Sequence, residues 1–309
     1  MLINIKKRVY SFLKKINLKE GFYMKRFWIT FRDIILILLL TIFSMMVGGF
    51  WLNSWEVNKF VLPLHYFCSP IIELIVFLFG FKLLKKKIYH DEYSSVNFPP
   101  SFHKRYFIYA FCLLLLCYVG VFILGGKFVF PKLDSYLLAQ NTASLLGAII
   151  IAPFIEETVF RAVILTQTAK RYNLKVGIIV SSILFGAVHL MNGGLDFVSA
   201  IQLIIGGALM GTLLNVVYIK ENTIWASYII HALYNAIGSF IPVSLKATPD
   251  WFVEFILKNN NKIITGGEYG IDCSLINIIA YLIIIIAIVA IVHKNGSTLH
   301  DIWSKNHSN

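Results

Sequence analysis

Charged residues are scarce in this sequence. Asp, Glu, Lys and Arg make up only 14% of its 309 residues, whereas hydrophobic residues make up 58% and the mean hydropathy is +0.73. A soluble domain of this length needs far more polar surface than this composition provides. The scarcity of charge therefore excludes an ordinary soluble fold and indicates a chain that lies largely within a lipid bilayer.

Apolar runs long enough to cross a membrane recur along the chain, since a spanning helix needs about 20 residues. The fourth, fifth and seventh runs are interrupted by polar residues. We predict an all-α fold, a polytopic transmembrane helical bundle of about eight spans with no soluble module large enough to fold alone. The predicted spans lie near residues 34–50, 60–81, 107–124, 141–166, 176–191, 198–219, 223–241 and 274–292.

Composition divides the predicted bundle into four stretches. Residues 1–33 form a basic N-terminal segment whose apolar residues suit an amphipathic helix on the inner leaflet, with a disordered basic tail as the alternative. Residues 34–140 hold three accessory spans, and residues 141–241 hold the core with its polar motifs. Residues 242–309 comprise a polar loop, the final span and a tail. No internal repeat is evident, which weakens a transporter interpretation.

The basic residues are distributed as in a membrane protein. The net charge is +12, but most of the 28 Lys and Arg residues fall in alternate connecting segments, as the positive-inside rule requires. We therefore expect an integral, multi-pass membrane protein with both termini in the cytoplasm. Its expected partners are the lipid bilayer and a membrane-associated substrate, and not nucleic acid. No oligomeric state follows from the sequence.

Two metal-binding patterns are missing. The four cysteines show no CxxC spacing, which predicts neither a disulfide framework nor a metal knuckle. No HExxH pair occurs, so no motif demands zinc.

Ionisable residues nevertheless occur inside the fourth span, where each is costly unless it is paired, hydrated or functional. Glu157 and Arg161 are four residues apart, so they share a helix face and can form an ion pair. Glu156 points about 100° away on the helix and is left available. Pro153 removes a backbone hydrogen bond nearby and loosens the helix.

Other polar residues lie at a similar predicted depth in two further spans. The fifth span carries Phe185 and His189, and the seventh carries His231 and Asn235, again four residues apart on one face. A lone ion pair or a lone histidine in a membrane helix is more often structural. The recurrence of such groups on three spans instead favours one shared polar site.

Three other features of the spans are less informative. Glu73, in the second span, is a separate buried acid to which the sequence assigns no role. Gly207 and Gly211 form a GxxxG pair, which we interpret as close helix packing. No Ser or Cys is tied to the polar motifs, which disfavours a nucleophilic mechanism; the serines nearest to them, which suit helix packing equally well, are Ser181, Ser182 and Ser227.

The order and spacing of the polar residues resemble three motifs of a known family, over about residues 141–241. This is the CAAX protease and bacteriocin-processing (CPBP, or Abi) family of intramembrane proteases, which includes the type II CAAX prenyl endopeptidases. No motif residue departs from the family pattern. The motifs stand here as EExxxR at Glu156, Glu157 and Arg161, FxxxH at Phe185 and His189, and HxxxN at His231 and Asn235.

The resemblance implies a role for each motif residue. It makes Glu156 the catalytic general base and later the general acid, with His189 holding or helping to deprotonate the same water. The implied oxyanion donors are His231 and Asn235. The implied supporting residues are Glu157, Arg161 and Phe185.

A metal is left open by the same resemblance. Members of the family are commonly described as metalloproteases. Zinc could be held by Glu156, His189 and His231, with water as a fourth ligand.

The function implied by the resemblance is hydrolysis of a peptide bond in a membrane-associated peptide or protein. In the family, eukaryotic members trim CAAX tails, while bacterial relatives process bacteriocin or signalling peptides and confer self-immunity. The Lys-, Ile- and Asn-rich composition favours a bacterial cell membrane, and with it the processing of bacteriocin or signalling peptides and self-immunity. Two alternatives remain: a non-catalytic immunity or scaffold protein, and a proton-coupled transporter that uses the buried acids as a relay.

Overall fold

The computed structural model describes residues 2–50, 61–89, 99–192, 194–247 and 251–307, without the side chains of residues 2–22 and 192. The predicted amphipathic face of the N-terminal segment therefore lies outside the described side chains. The backbone of this segment continues into the first span as one helix.

Helices dominate the described residues, which confirms the all-α fold class. Six helical segments in this part of the chain are long and apolar enough to cross a membrane, and they correspond to six of the eight predicted spans. The α-helices are α1 (Leu2–Gly49), α2 (Val61–Lys87), α3 (Lys104–Ile123), α4 (Ser135–Leu145), α5 (Ala152–Glu157), α6 (Thr166–Arg171), α7 (Leu174–Val188), α8 (Phe197–Glu221), α9 (Ile224–Phe240), α10 (Lys262–Thr265), α11 (Leu275–Lys294) and α12 (Leu299–His307).

The fourth and seventh predicted spans are helical but differ from the other six. Residues 135–171 form one continuous helical run, here called the composite helix, in which π-helical turns (Leu146–Ile151 and Thr158–Leu165) flank α5. Pro153 stands in the first turn of α5, where its missing N–H breaks the regular hydrogen-bond ladder. π-Helical turns are rare and frequently mark functional sites. The seventh span, α9, has 17 residues.

A small sheet orders part of the predicted polar loop. The strands are β1 (Gly126–Val129), β2 (Val243–Ser244) and β3 (Glu254–Leu257), in the order β1-β3-β2. β1 runs antiparallel to β3, and β2 runs parallel to it. A short 3₁₀-helix, Ile271–Cys273, then leads into α11. The sequence did not predict the sheet, because strands of two to four residues are too short to show an alternating pattern.

Ion pairs join segments that were predicted to share one side of the membrane. Asp33 of α1, whose side chain is 1% exposed, contacts Arg171 at the end of the composite helix at 2.5 Å. Glu221 at the end of α8, 2% exposed, contacts Arg105 at the start of α3 at 2.6 Å. Each pair therefore brings together two of the predicted cytoplasmic segments. Which side of the membrane they face stays a prediction.

Glycines bring α7 and α8 into backbone contact. A Cβ placed on Gly207 would lie 2.6 Å from the Cα of Gly186, and one on Gly211 would lie 3.1 Å from the Cα of Ser182. Gly207 has no room for a larger side chain and Gly211 has little, which confirms the packing interpretation of the GxxxG pair. The contact fixes α7, which leads into His189, against α8.

The packing of these helices predicts the effect of a single methyl group. We expect Gly207→Ala to lower the free energy of unfolding by about 1–3 kcal/mol, because the new methyl group meets backbone atoms that must shift. Gly238→Ala on α9 is the matched control. Its Cβ meets nothing within 4 Å, and alanine favours a helix over glycine, so this variant keeps or gains stability. Thermal unfolding in detergent measures both, and equal unfolding temperatures for the two variants would contradict the close contact.

Candidate active site

A buried ion pair lies where the motif-bearing helices meet. Arg161 Nη1 lies 3.1 Å from Glu157 Oε1, and both side chains are 0% exposed, which confirms the predicted pair. The same carboxylate oxygen accepts a hydrogen bond from His231 Nδ1 of α9 at 2.9 Å. The sequence had not predicted this second contact. Glu157 therefore neutralises the arginine and holds the imidazole at the same time, which joins the composite helix to α9.

Arg161 is enclosed by α7 and α8. Its Nη2 donates to the backbone oxygen of Gly211 at 3.3 Å, and its guanidinium carbon lies 4.6 Å from the ring centre of Phe185. The Phe185 ring also lies 5.1 Å from the ring of His189 and 5.8 Å from that of His231. This one aromatic side chain therefore screens the arginine and packs against both motif imidazoles.

Hydrogen-bond partners determine the tautomer of each imidazole. His189 Nδ1 lies 2.7 Å from the backbone oxygen of Phe185. A carbonyl oxygen only accepts, so the proton is assigned to Nδ1 and Nε2 is left for other partners. His231 Nδ1 donates to the Glu157 carboxylate, with the same consequence. Both histidines therefore have Nε2 available for chemistry.

Glu156 lines a cavity of about 170 Å³ together with His189, His231 and Asn235. Its side chain is 25% exposed, and its Oε2 lies 3.8 Å from His231 Nε2, which is too far for a hydrogen bond. This oxygen has no hydrogen-bond partner among the described residues. Through the exposed part of its side chain Glu156 is open to a reactant, in contrast to the fully buried Glu157, whose Oε1 is paired with Arg161 and His231.

Asn235 ties α9 to the first π-helical turn. Its Nδ2 donates to the backbone oxygen of Ala148 at 3.0 Å. An amide nitrogen carries two protons, so the second N–H remains available on the cavity wall. The contact therefore orients the side chain without exhausting its donors.

Glu156 and His189 also line a second cavity of about 220 Å³, whose other walls are mostly apolar. The sequence placed the first span among the accessory spans. The structure shows that it forms one wall of the site, through Leu38, Thr41, Ile42 and Met45. The two catalytic candidates therefore stand between a polar cavity and an apolar one.

Two acids outside the motifs belong to this region. Asp272, from the loop before α11, lines the first cavity, and its Oδ1 accepts a hydrogen bond from Tyr234 OH at 2.7 Å. Glu73 of α2, which the sequence left without a role, interacts electrostatically with Glu156. Sequence reasoning missed Asp272 because it lies outside residues 141–241. The available signal was an isolated acid directly before the last apolar run.

The site residues do not group as metal ligands. Within the described parts of the chain, no three His, Cys, Asp or Glu side chains are arranged to hold a metal ion. The set that the resemblance allowed for zinc, Glu156, His189 and His231, therefore does not fit a metal in this arrangement. All four cysteines are free thiols.

The serines near the motifs contact neighbouring polar groups of the helices. Ser181 Oγ donates to the backbone oxygen of Phe160 at 2.9 Å, and Ser227 Oγ to that of Ile224 at 3.1 Å. Ser182 Oγ accepts from Thr212 at 2.9 Å. These contacts agree with the packing role expected of them.

Comparison with known proteins agrees with the motifs. Residues 138–237, about a third of the chain, match the model of the family described as type II CAAX prenyl endopeptidase Rce1-like. No curated protein matches the chain. The matched segment holds every motif residue and belongs to the CAAX protease family of intramembrane endopeptidases. The family implies a protease, and the apolar helices make the chain an integral membrane protein.

The buried pair predicts a stability difference between two variants. We expect Glu157→Gln to lower the free energy of unfolding by about 3–5 kcal/mol, because it leaves the buried charge of Arg161 without a partner. The double variant Glu157→Gln/Arg161→Met removes both charges and should recover much of that loss. Thermal unfolding of the two variants and the wild type gives the comparison. A double variant no more stable than Glu157→Gln would show that the unpaired charge is not the cause.

Proposed function

We propose that the protein is an intramembrane endopeptidase that cleaves a membrane-associated peptide or protein with water activated by Glu156. The observation that supports this is the position of Glu156 and His189 between a polar and an apolar cavity. Hydrolysis requires polar groups around the scissile bond, and a membrane-associated substrate requires an apolar surface beside it. Glu156 lies beside both the polar groups and the apolar surface that these requirements call for.

Glu156 acts as the general base. Its accessible carboxylate binds the water beside His231 Nε2 and takes a proton as the water oxygen attacks the peptide carbonyl. His189 holds the same water through its available Nε2. The neighbouring Glu157 stays ionised in its pair with Arg161 and takes no proton.

His231 and Asn235 stabilise the oxyanion that forms on the carbonyl oxygen. Such stabilisation depends on donors that are oriented before the reaction. Glu157 orients the imidazole of His231. When His231 Nε2 is protonated and donates to the oxyanion, the carboxylate of Glu157 offsets the positive charge of the ring. The bond to Ala148 orients the amide of Asn235, which lines the cavity and keeps its second N–H for the oxyanion.

The proposed substrate is a peptide with an apolar or lipid-anchored segment, which binds against the α1 wall. A CAAX-type tail and a bacteriocin or signalling peptide both meet this description. We place the protein in a bacterial cell membrane with its termini in the cytoplasm, from the distribution of basic residues.

Replacement of the general base tests the mechanism. We expect Glu156→Gln to slow cleavage at least about 10²-fold, because the amide cannot accept the water proton. Its unfolding temperature stays near that of the wild type, since Glu156 belongs to no short ion pair. The assay uses purified protein in liposomes and a quenched fluorogenic peptide with a prenylated cysteine near its C-terminus. Ser181→Ala is the matched control and keeps activity.

The same assay separates the alternatives. Normal cleavage by Glu156→Gln would refute the assigned base. A wild-type protein that cleaves nothing would favour a scaffold or immunity protein, provided that variants of the motif residues lose biological function only as far as they lose folding. Flux driven by a proton gradient in the liposomes would favour a transporter.

Treatment with a chelator tests whether the reaction needs a metal ion. We expect cleavage to be unchanged after treatment with a chelator, because the donors of the site do not form a three-ligand group. Metal content is measured on the same samples. Cleavage that is lost on chelation and restored by added zinc would contradict the mechanism.

A further inference from the structure

One acid on the cavity wall takes no part in the mechanism above. Asp272 lies in the short helix Ile271–Cys273 and lines the same 170 Å³ cavity as Glu156 and His231. Among the described residues, Glu156 and Asp272 are the carboxyl groups on this cavity. Peptide hydrolysis needs a base for the water and an acid for the leaving amine. The cavity has one carboxyl group for each task.

Asp272 is oriented by a buried hydrogen-bond network. Tyr234 OH donates to its Oδ1 at 2.7 Å, and Tyr281 OH donates to its backbone oxygen at 3.0 Å. Asn277 Nδ2 donates to Tyr234 OH at 2.8 Å, and the Tyr281 hydroxyl lies 2.7 Å from the same oxygen. Tyr234 lies three residues after His231 on α9. The helix that carries the oxyanion donors therefore also positions the second acid.

The loop that carries Asp272 approaches the backbone of α8. A Cβ placed on Gly206 would lie 3.0 Å from the Cα of Cys273 and 3.2 Å from the backbone oxygen of Asp272. Gln202 of α8 donates to the backbone oxygen of Ile263 at 3.1 Å. The absence of a side chain on Gly206 thus lets the acid reach the cavity wall.

The surroundings of Asp272, which lies outside the spans, favour its protonated form. Although the residue is partly exposed, the protein atoms around its carboxyl group raise the pKa of Asp272 above its usual range, against the opposing effects of the Tyr234 hydroxyl and of His189 and His231. Because Oδ1 accepts from Tyr234, the proton belongs on Oδ2. The titratable groups around it are Glu156, His189, His231, Tyr234, Tyr281, Cys117, Tyr118 and Cys273.

We propose that Asp272 is the general acid of the reaction, an inference that rests on the proposed function. Water gives one proton to Glu156 as its oxygen bonds to the carbonyl carbon. When the C–N bond breaks, the nitrogen takes its proton from Asp272 Oδ2. The proton on Glu156 then returns to Asp272 through solvent, so each turnover consumes one water and releases a carboxylic acid and an amine. The resemblance had given both proton transfers to Glu156.

A change of leaving group tests this assignment. An amide nitrogen must be protonated to leave, whereas a nitrophenolate is a weak base and leaves without an acid. We expect Asp272→Asn to slow cleavage of the fluorogenic amide peptide at least about 10²-fold through kcat, with KM little changed. Hydrolysis of the nitrophenyl ester of the same peptide stays close to the wild-type rate. Glu156→Gln slows both reactions, because both need the activated water.

The controls separate this inference from the proposed function. Asp272→Asn keeps an acceptor for Tyr234. The matched control is Asp196→Asn, which removes the charge of a half-buried acid that pairs with Lys262 and does not line the cavity. This control leaves both rates unchanged. Equal loss of amide and ester hydrolysis in Asp272→Asn would assign the residue a structural role and overturn the inference. So would undiminished amide cleavage by that variant. A wild-type protein that hydrolyses neither substrate would instead overturn the proposed function, and the inference with it.

Discussion

A buried carboxylate must be compensated by its neighbours, and the Oε1 atom of Glu157 contacts both Arg161, on its own helix, and His231 of α9. Arg161 is enclosed in turn by Phe185 and by the backbone of Gly211. Separation of α9 would remove the His231 partner of this buried carboxylate, and separation of α8 would remove the Gly211 oxygen from the buried guanidinium. The contacts that the pair makes with its neighbours therefore hold the motif-bearing helices together and leave the adjacent Glu156 available for chemistry.

The parts of the site that the sequence predicted are those with local geometry. Glu157 and Arg161 pair because residues four apart share a helix face, and His231 and Asn235 share a face for the same reason. Helical periodicity shows which residues share a face, but not which helix that face meets. The bond from His231 to Glu157, that from Asn235 to Ala148 and the wall formed by α1 are all contacts between distant segments, and none of them was predictable.

The fold shows the same division. Six of the eight predicted spans have the length and apolarity that a membrane crossing requires, because composition alone determines those properties. The composite helix and α9, which carry the EExxxR and HxxxN motifs, are outside these six, and the composite helix contains two π-helical turns. The loop before α11 was predicted only as polar, since its order comes from bonds to Gln202, Tyr234 and Tyr281 rather than from any pattern of its own.

α8 contributes no side chain to the proposed catalytic groups, yet three of its glycines contact the elements that carry or pack against them. Gly206 faces the loop of Asp272, Gly207 faces Gly186 of α7, and Gly211 faces Phe185. Those separate parts of the site are therefore spaced from one common backbone. In evolutionary terms, we expect this helix face to vary little although it performs no chemistry, because enlarging any one glycine would displace an element whose position relative to the others matters.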